Sequence, residues 1–216
     1  LDASDVSVTN TDNDTAGITL TPDTGLITRE TGSTTTFTVI LTSEPTANVI
    51  LALASDDTTE GDVTPATMTF TSANWDTTQT ATITGVDDKK KDGSIDYTID
   101  VSISSTTDTV YDAVLPVSAG VTNTDDDTPG ITVTPITGLV TTEAGATATF
   151  SVVLNTEPND TVTIGLSSDN ENEGTLAVTD LTFTATDWDT PQEVTITGVN
   201  DDIDDGDIAY TILTAA

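Results

Sequence analysis

The segment Thr35-Thr36-Phe37-Thr38-Val39-Ile40-Leu41 indicates the class of fold. Apolar residues recur at every second position, namely Phe37, Val39 and Leu41. A period of two places successive side chains on opposite faces of a β-strand, so one face is buried and the other is solvated. The segment therefore predicts a half-buried strand.

Similar short runs extend on both sides of this segment, and no stretch has convincing helical periodicity. Seven strands within about 110 residues, separated by frequent turns, predict an all-β, immunoglobulin-like antiparallel sandwich. The predicted strands are Gly17–Thr21, Thr35–Leu41, Val49–Ala54, Thr67–Thr71, Thr80–Thr84, Ile95–Ile103 and Val114–Val121.

The pattern occurs twice. Asp12-Asn13-Asp14-Thr15-Ala16-Gly17-Ile18 recurs as Asp125-Asp126-Asp127-Thr128-Pro129-Gly130-Ile131, a constant offset of 113 residues. Without a gap, 46 of the 92 residue pairs between 12–103 and 125–216 are identical. A repeat of this length has the size of a domain and is too long for a solenoid unit. The predicted domains are a terminal strand of a preceding repeat at 1–11, a first repeat at 12–124, and a second repeat at 125–216, incomplete at its C-terminal side.

Charge limits the possible partners. The chain has 37 Asp and Glu against 4 Lys and Arg and no His, so its formal net charge is −33. Such a field repels nucleic acids and anionic membranes. Nucleic-acid binding is therefore not expected. No apolar stretch reaches the roughly 18 residues of a membrane span, so membrane insertion is not expected either. Clustered carboxylates instead favour hard, oxygen-seeking cations. The absence of cysteine excludes disulfides and thiolate metal sites and fits a bacterial exterior.

Several short motifs give the chain a family resemblance. Together they resemble the Calx-β family, especially the tandem Calx-β-like repeats of large bacterial surface and adhesin proteins. The motifs of the first repeat are Glu30-Thr31-Gly32, Asn74-Trp75, Gln79, Gly85-Val86-Asp87-Asp88, Asp92-Gly93 and Asp125-Asp126-Asp127. The second repeat has Glu143-Ala144-Gly145, Asp187-Trp188, Gln192, Gly198-Val199-Asn200-Asp201 and Asp205-Gly206.

The resemblance implies a sandwich with calcium bound among loops at one end. Carried over by position, the first set of ligands would be Glu30, Asp56 or Asp57, Asp87, Asp88, Asp92, Asp125, Asp126 and Asp127. The second set would be Glu143, Asp169, Asn200, Asp201 and Asp205, while Asp12 and Asp14 would complete the site of a preceding repeat.

Residue chemistry alone leaves two alternatives at these loops. Calcium takes six to eight oxygen ligands, which adjacent aspartates on converging loops can supply. Aspartate is also common in solvated turns for local hydrogen-bonding reasons. Lys89, Lys90 and Lys91 of the first repeat replace Asp202, Ile203 and Asp204 of the second. They either extend into solvent and reduce the repulsion between the acids, or weaken the binding of one calcium ion or replace it.

The expected function is structural. Calcium would stiffen the loops and the linker between neighbouring repeats of a secreted protein on a bacterial cell surface. With no His, no Cys and no Gly-x-Ser-x-Gly, the chain is not expected to be an enzyme. The alternatives are an adhesion module that binds a surface glycan or protein, and a filament subunit. Trp75 and Trp188 could stack on a sugar or pack at a strand edge.

The filament alternative has its own sequence signal. Val8-Thr9-Asn10-Thr11-Asp12 matches Val121-Thr122-Asn123-Thr124-Asp125, whereas Ala216 matches only Ile103. The first residues of one molecule could thus add as a strand to the second repeat of another, giving head-to-tail self-assembly in which Asp12 and Asp14 supply calcium ligands. The other interpretation is that the sequence continues beyond a fragment boundary.

Overall fold

A computed structural model describes residues 4–200, 203 and 206–215. The chain divides into two compact units. Unit 1 comprises Leu1–Asp88 and Gly93–Asp126, and unit 2 comprises Lys89–Asp92 and Asp127–Ala216. Within unit 1, residues 4–17 form no strand, and residues 4–15 are exposed.

Unit 1 is an all-β sandwich, as predicted. Its strands form two sheets, in the orders β1-β3-β7-β5 and β2-β9-β8-β4-β6. Alternating residues face inward, and Phe37, Val39 and Leu41 are almost completely buried there. The strands are β1 (Ile18–Thr21), β2 (Leu26–Arg29), β3 (Thr34–Leu41), β4 (Val49–Ser55), β5 (Gly61–Thr64), β6 (Thr67–Phe70), β7 (Gln79–Gly85), β8 (Ile95–Thr106) and β9 (Val117–Thr124).

Unit 1 has nine strands where seven were predicted, because two stretches of chain change sheets. The chain pairs as β1 with β3, passes Pro22 and continues as β2 in the other sheet. It likewise pairs as β5 with β7, passes Pro65 and continues as β6 beside β4. Proline lacks the N–H that a ladder requires, so each ladder ends there. Each predicted strand overlaps an observed one.

One strand pair differs in direction from the rest. β2 runs parallel to β9, with Leu26 opposite Val121 and Arg29 opposite Thr124. The prediction described an antiparallel sandwich, and the other pairs found in the described residues are antiparallel. The parallel pair arises because the chain crosses between the sheets without reversing its direction. As a result, β2 and β9 end on the same side of unit 1.

Unit 2 is a smaller version of the same architecture. Its sheets have the orders β10-β11-β15-β13 and β14-β12-β16 around a core that includes Phe150, Phe183 and Ile196. The strands are β10 (Ile131–Thr134), β11 (Thr147–Leu154), β12 (Val162–Ser168), β13 (Gly174–Leu176), β14 (Asp180–Phe183), β15 (Gln192–Gly198) and β16 (Ile212–Ala215). No helix among the residues that the structure describes is long and apolar enough to cross a membrane.

The two tryptophans belong to the packing of the sandwiches. Trp75 packs against the core of unit 1, and its carbonyl oxygen accepts a hydrogen bond of 3.2 Å from Leu41 N–H. Trp188 packs against the core of unit 2, and its carbonyl oxygen accepts one of 3.1 Å from Leu154 N–H. Both observations favour packing at a strand edge over an exposed sugar platform.

A buried carboxylate joins β8 to the turn between β3 and β4. Asp108 is 3% exposed. Its Oδ2 accepts hydrogen bonds of 2.7 Å from Thr46 N–H and 2.8 Å from Thr46 Oγ1. Its Oδ1 accepts bonds of 2.9 Å from Val110 N–H and 3.1 Å from Tyr111 N–H. These bonds, led by that from the Thr46 backbone, lower the pKa of Asp108 to about 2.

The hydrogen bonds of Asp108 give a prediction about pH. A carboxylate with a lowered folded-state pKa contributes stability above its unfolded pKa of about 3.9 and loses it as the pH falls towards the folded value of about 2. Asp108→Asn is therefore expected to melt below the wild type at pH 7, with the gap narrowing between pH 4 and pH 2. Melting curves of both chains across this range measure the difference between their melting temperatures. The other carboxylates are protonated in both chains alike, so their effect cancels in this difference. A gap independent of pH would contradict the assignment.

Candidate metal centre

The parallel pair of β2 and β9 brings two acidic segments together. Arg29 ends β2 opposite Thr124, which ends β9. Glu30 N–H donates a hydrogen bond of 3.2 Å to the Thr124 carbonyl oxygen, which extends the pairing by one step. Glu30 and Asp125 therefore follow their strands on the same side of unit 1, although they are far apart in the sequence.

A tight turn holds Glu30 in place. Gly32 N–H donates a hydrogen bond of 3.0 Å to the Arg29 carbonyl oxygen. Gly32 has a φ of +78°, a value that glycine adopts without the clash a Cβ would cause. The Glu30 residue is only 3% exposed, and its Oε2 accepts a hydrogen bond of 3.1 Å from Asp126 N–H. The turn thus buries a carboxylate against the segment that follows β9.

The end of β7 supplies a third segment. Gly85 lies so close to β2 that an added Cβ would be 2.3 Å from the Arg29 carbonyl oxygen and 2.7 Å from Asn123 Oδ1. Gly85 N–H donates a hydrogen bond of 3.0 Å to the Ser33 carbonyl oxygen. The absence of a side chain at Gly85 lets β7 end beside Glu30, so Asp87, two residues later, reaches the same place.

These three segments place four carboxylates together in unit 1. One carboxylate oxygen each from Glu30, Asp87 and Asp126 lie within 4.8 Å of one another. Oxygens of Glu30 and Asp125 also lie within 4.8 Å of each other. Asp125 Oδ2 accepts a hydrogen bond of 2.7 Å from Gly93 N–H. We call Glu30, Asp87, Asp125 and Asp126 the Glu30 cluster.

The Glu30 cluster has the chemistry of a hard-cation site. Its side chains offer only carboxylate oxygens, which calcium and magnesium prefer, and nothing suited to a soft metal. Asp87 and Asp126 are exposed, Asp125 is half-buried and Glu30 is buried, so an ion could enter from solvent and still contact the buried group. Calcium accepts irregular sets of six to eight oxygens, some of them from water. The residues present therefore fit calcium.

Other predicted ligands accept hydrogen bonds from threonines outside the Glu30 cluster. Asp56 Oδ1 accepts a hydrogen bond of 2.7 Å from Thr98 N–H, and Asp169 Oδ1 accepts the matching bond of 2.7 Å from Thr211 N–H. Asp57 Oδ1 accepts bonds of 2.6 Å from Thr59 Oγ1 and 3.0 Å from Thr59 N–H, and these lower the pKa of Asp57.

The remaining predicted ligands of the first set lie around the cluster. Asp88 is half-buried next to Asp87, and Asp92 is exposed within the short segment assigned to unit 2. Neither joins a group of three converging carboxylates among the described residues. Asp127 is the first residue of the main segment of unit 2.

The second predicted set is only partly described. Glu143 occupies a turn like that of Glu30, since Gly145 N–H donates a hydrogen bond of 2.9 Å to the Thr142 carbonyl oxygen. Glu143 and Asn200 are exposed. Asp201 and Asp205 lie outside the described residues. In the N-terminal segment, Asp12 and Asp14 are exposed, and Asp12 Oδ1 accepts a hydrogen bond of 3.0 Å from Asp14 N–H.

One buried acid near the site was not predicted. Glu60 is 7% exposed, and its Oε2 accepts a hydrogen bond of 3.2 Å from Asn123 Nδ2. The carbonyl oxygen of Glu60 accepts a hydrogen bond of 2.9 Å from the N–H of Val86, the residue before Asp87. Glu60 therefore holds the segment that presents Asp87. Its recurrence as Glu173, before Gly174, was the sequence signal that could have identified it.

The three lysines are adjacent to the cluster in sequence. By its contacts, the segment Lys89–Asp92 belongs to unit 2. There Lys90 Nζ forms an ion pair of 3.5 Å with Glu157 Oε1, and the Lys89 carbonyl oxygen accepts a hydrogen bond of 2.7 Å from Glu157 N–H. The structure thus gives Lys90 a carboxylate partner outside the Glu30 cluster.

Several solved structures are similar to this chain. CBD12 from CALX1.2 is 14% identical, with 92% of this chain and 80% of that chain covered and a TM-score of 0.38. The calcium binding domain CBD12 of CALX1.1 is also 14% identical, with coverages of 92% and 79% and a TM-score of 0.40. Domains 5–6 of the S-layer protein SbsC are 14% identical, with coverages of 94% and 92% and a TM-score of 0.32. No protein-family model and no curated protein matches the chain.

Proposed function

We propose that this chain is a calcium-binding structural repeat of a secreted or cell-surface protein. The observation that carries the proposal is the Glu30 cluster, in which carboxylates from three separate segments of unit 1 converge. Carboxylates at such distances repel one another, and the net charge of −33 adds to that repulsion. A bound divalent cation would replace this repulsion with attraction.

Calcium in this site would act as a crosslink. It would join the turn after β2, the segment after β7 and the segment after β9, adding to the hydrogen bonds that Asp126 N–H donates to Glu30 and Gly93 N–H donates to Asp125. The segment after β9 continues toward the second repeat, so fixing it would limit the directions that the chain can take there. In a tandem array, this restriction would extend the protein away from a cell surface. The proposed role requires no catalysis.

A location outside the cell agrees with a calcium site formed by the carboxylates of the Glu30 cluster. Sites in extracellular modules bind calcium with dissociation constants of about 10⁻⁴–10⁻³ M, and calcium outside cells is abundant enough to fill them. A chain without cysteine depends on neither disulfides nor a reducing compartment. We therefore propose that calcium is the resident ion and that the protein acts outside the cell.

The substitution Glu30→Gln tests the site. It removes the buried carboxylate charge while keeping the size of the side chain, so we expect the loss of one calcium ion or an affinity at least about tenfold weaker, as for the loss of one charged ligand. The matched control is Glu44→Gln, which removes the same charge from an exposed residue in the turn after β3, at the far end of that strand. Isothermal titration with calcium measures both variants. Equal stoichiometry and affinity in the two variants would refute the assignment of the Glu30 cluster.

A further inference from the structure

The connection between β7 and β8 contains Asp92-Gly93, the one Asp-Gly sequence in the part of the chain that the structure describes. Residues 91–94 form no strand, and Asp92 is exposed. The Asp92 side chain forms no hydrogen bond or ion pair with another described residue. Its carboxyl group can therefore turn toward the backbone of its own segment.

An aspartate that precedes glycine can rearrange its own backbone. The amide nitrogen of the glycine attacks the side-chain carbon Cγ of the aspartate. The hydroxyl of the protonated carboxyl group leaves with the amide proton as water, and a succinimide ring closes. Water then adds to the α-carbonyl carbon and breaks its bond to the nitrogen. The product is isoaspartate, whose backbone runs through the former side chain, and the water lost in the first step is regained in the second.

Gly93 removes the steric barrier to this attack. A side chain on the attacking residue crowds the ring, and the exposed residues Asp23, Asp57 and Asp76 of unit 1 all precede threonine. Gly93 has a φ of +88°, which glycine adopts easily. A Cβ built at Gly93 would have no atom within 4 Å, so the space beside it is open.

One hydrogen bond restrains the attacking nitrogen. Gly93 N–H donates it to Asp125 Oδ2 over 2.7 Å. The attack removes the proton from this nitrogen and turns the nitrogen toward Asp92 Cγ, so the bond to Asp125 must break. Asp125 belongs to the Glu30 cluster, and an ion that fixes Asp125 would therefore also fix the nitrogen of Gly93.

We propose that Asp92 is a site of isoaspartate formation in the metal-free chain and that calcium in the Glu30 cluster protects it. The protection, unlike the modification, rests on the calcium site of the proposed function. Calcium would hold Asp125 in place, and an ion that binds the closed state lowers the population of locally opened states. Isoaspartate adds one methylene to the backbone ahead of Gly93, which displaces Gly93 from Asp125 and weakens the site. The protein would thus record the time that it spends without calcium.

Ageing of the full chain in EDTA at neutral pH tests the modification. We expect isoaspartate to accumulate at residue 92. An isoaspartyl methyltransferase detects it, and a protease that cleaves before aspartate but not before isoaspartate locates it. Asp92→Glu should abolish this signal, because glutamate closes the larger ring far more slowly. Asp125→Ala should accumulate isoaspartate several-fold faster than the wild type. Asp112→Ala, the same change at an exposed residue elsewhere in unit 1, should age at the wild-type rate.

The same ageing experiment in calcium tests the protection. Accumulation at residue 92 should slow several-fold, and chain aged in EDTA should bind calcium more weakly than fresh chain in isothermal titration. No isoaspartate at residue 92 in EDTA overturns the modification site, whatever calcium does. An Asp125→Ala chain that ages no faster than the wild type overturns the role of the hydrogen bond.

Isothermal titration of the fresh chain separates this proposal from the proposed function. If the fresh chain binds calcium and ages equally fast in calcium and in EDTA, the protection is overturned and the calcium site stands. If the fresh chain binds no calcium, the protection falls together with the proposed function, and the ageing in EDTA alone decides the modification site.

Discussion

Adding calcium to the metal-free chain is expected to raise the midpoint of thermal unfolding of unit 1 by an amount on the order of 10 °C. A ligand that binds only the folded state stabilises it by about 2.7 kcal/mol at a concentration of one hundred times its dissociation constant. In a domain of about 100 residues, each kcal/mol shifts the midpoint by roughly 4 °C or more. Calcium would also offset part of the negative charge of the Glu30 cluster, where three exposed or half-buried carboxylates surround a buried one.

Differential scanning calorimetry with and without EDTA measures this shift. Glu30→Gln should lose most of it, whereas Glu44→Gln should keep it, because Glu44 is exposed at the other end of β3. Magnesium at the same concentration should give a smaller shift, since it prefers octahedral geometry and keeps its waters. A wild-type chain whose midpoint is the same in calcium and in EDTA would rule out the proposed calcium site.

Gly85→Ala is expected to destabilise unit 1 and weaken calcium binding together. The new Cβ would lie 2.3 Å from the Arg29 carbonyl oxygen and 2.7 Å from Asn123 Oδ1. The nearer atom belongs to the backbone, so β7 must move away from β2 to accept the methyl group. Overpacking of this kind costs typically about 1–3 kcal/mol. The same movement would shift Asp87 away from Glu30.

Gly120→Ala is the matched control for Gly85→Ala. Gly120 lies within β9, and a Cβ there would meet nothing closer than the Asp23 carbonyl oxygen at 3.9 Å, an ordinary contact. Chemical denaturation should show little change for Gly120→Ala, and calcium titration should show wild-type affinity. If Gly85→Ala unfolds at the wild-type denaturant concentration, or loses stability while keeping full calcium affinity, then the close approach does not position the cluster.

The strands that the sequence reveals are those with long alternating patterns. β3 has eight residues and β8 has twelve, and alternating apolar residues are buried in each: Phe37, Val39 and Leu41 in β3, and Tyr97, Ile99 and Val101 in β8. The constant offset of 113 likewise predicts that two similar sandwiches follow one another. The alternation of a strand can be recognised because it involves only neighbouring residues. The repeat can be recognised because the sequence can be aligned with itself.

The two unpredicted strands lack such a pattern. β2 has only four residues, Leu26–Arg29, which is too short for its alternation to be distinguished from chance. β5 begins Gly61-Asp62, and both residue types are disfavoured in strands. Each strand forms because a partner already lies beside it, β9 for β2 and β7 for β5. Pairing over such distances in sequence leaves no local signal.

Some residues of the candidate site could be predicted from the sequence and others could not. Resemblance placed Glu30, Asp87, Asp125 and Asp126 among the predicted ligands, and the structure brings these four together. The sequence could not predict which of the other acids would accept hydrogen bonds elsewhere, because that depends on partners distant in sequence, such as Thr98 of β8 for Asp56. Glu60 was missed because it belongs to none of the motifs that carry the family resemblance, although it recurs as Glu173.

The parallel pairing of β2 with β9 also determines how unit 1 would respond to pulling. A tension that draws the N-terminal side and the C-terminal side of the unit apart would slide these two strands past each other along their length. The four residue pairs from Leu26 opposite Val121 to Arg29 opposite Thr124 would then carry the load at the same time. In a hairpin pulled from its open end, the hydrogen bonds instead break one after another. Unit 1 is therefore built to resist stretching in shear, which suits a module under tension.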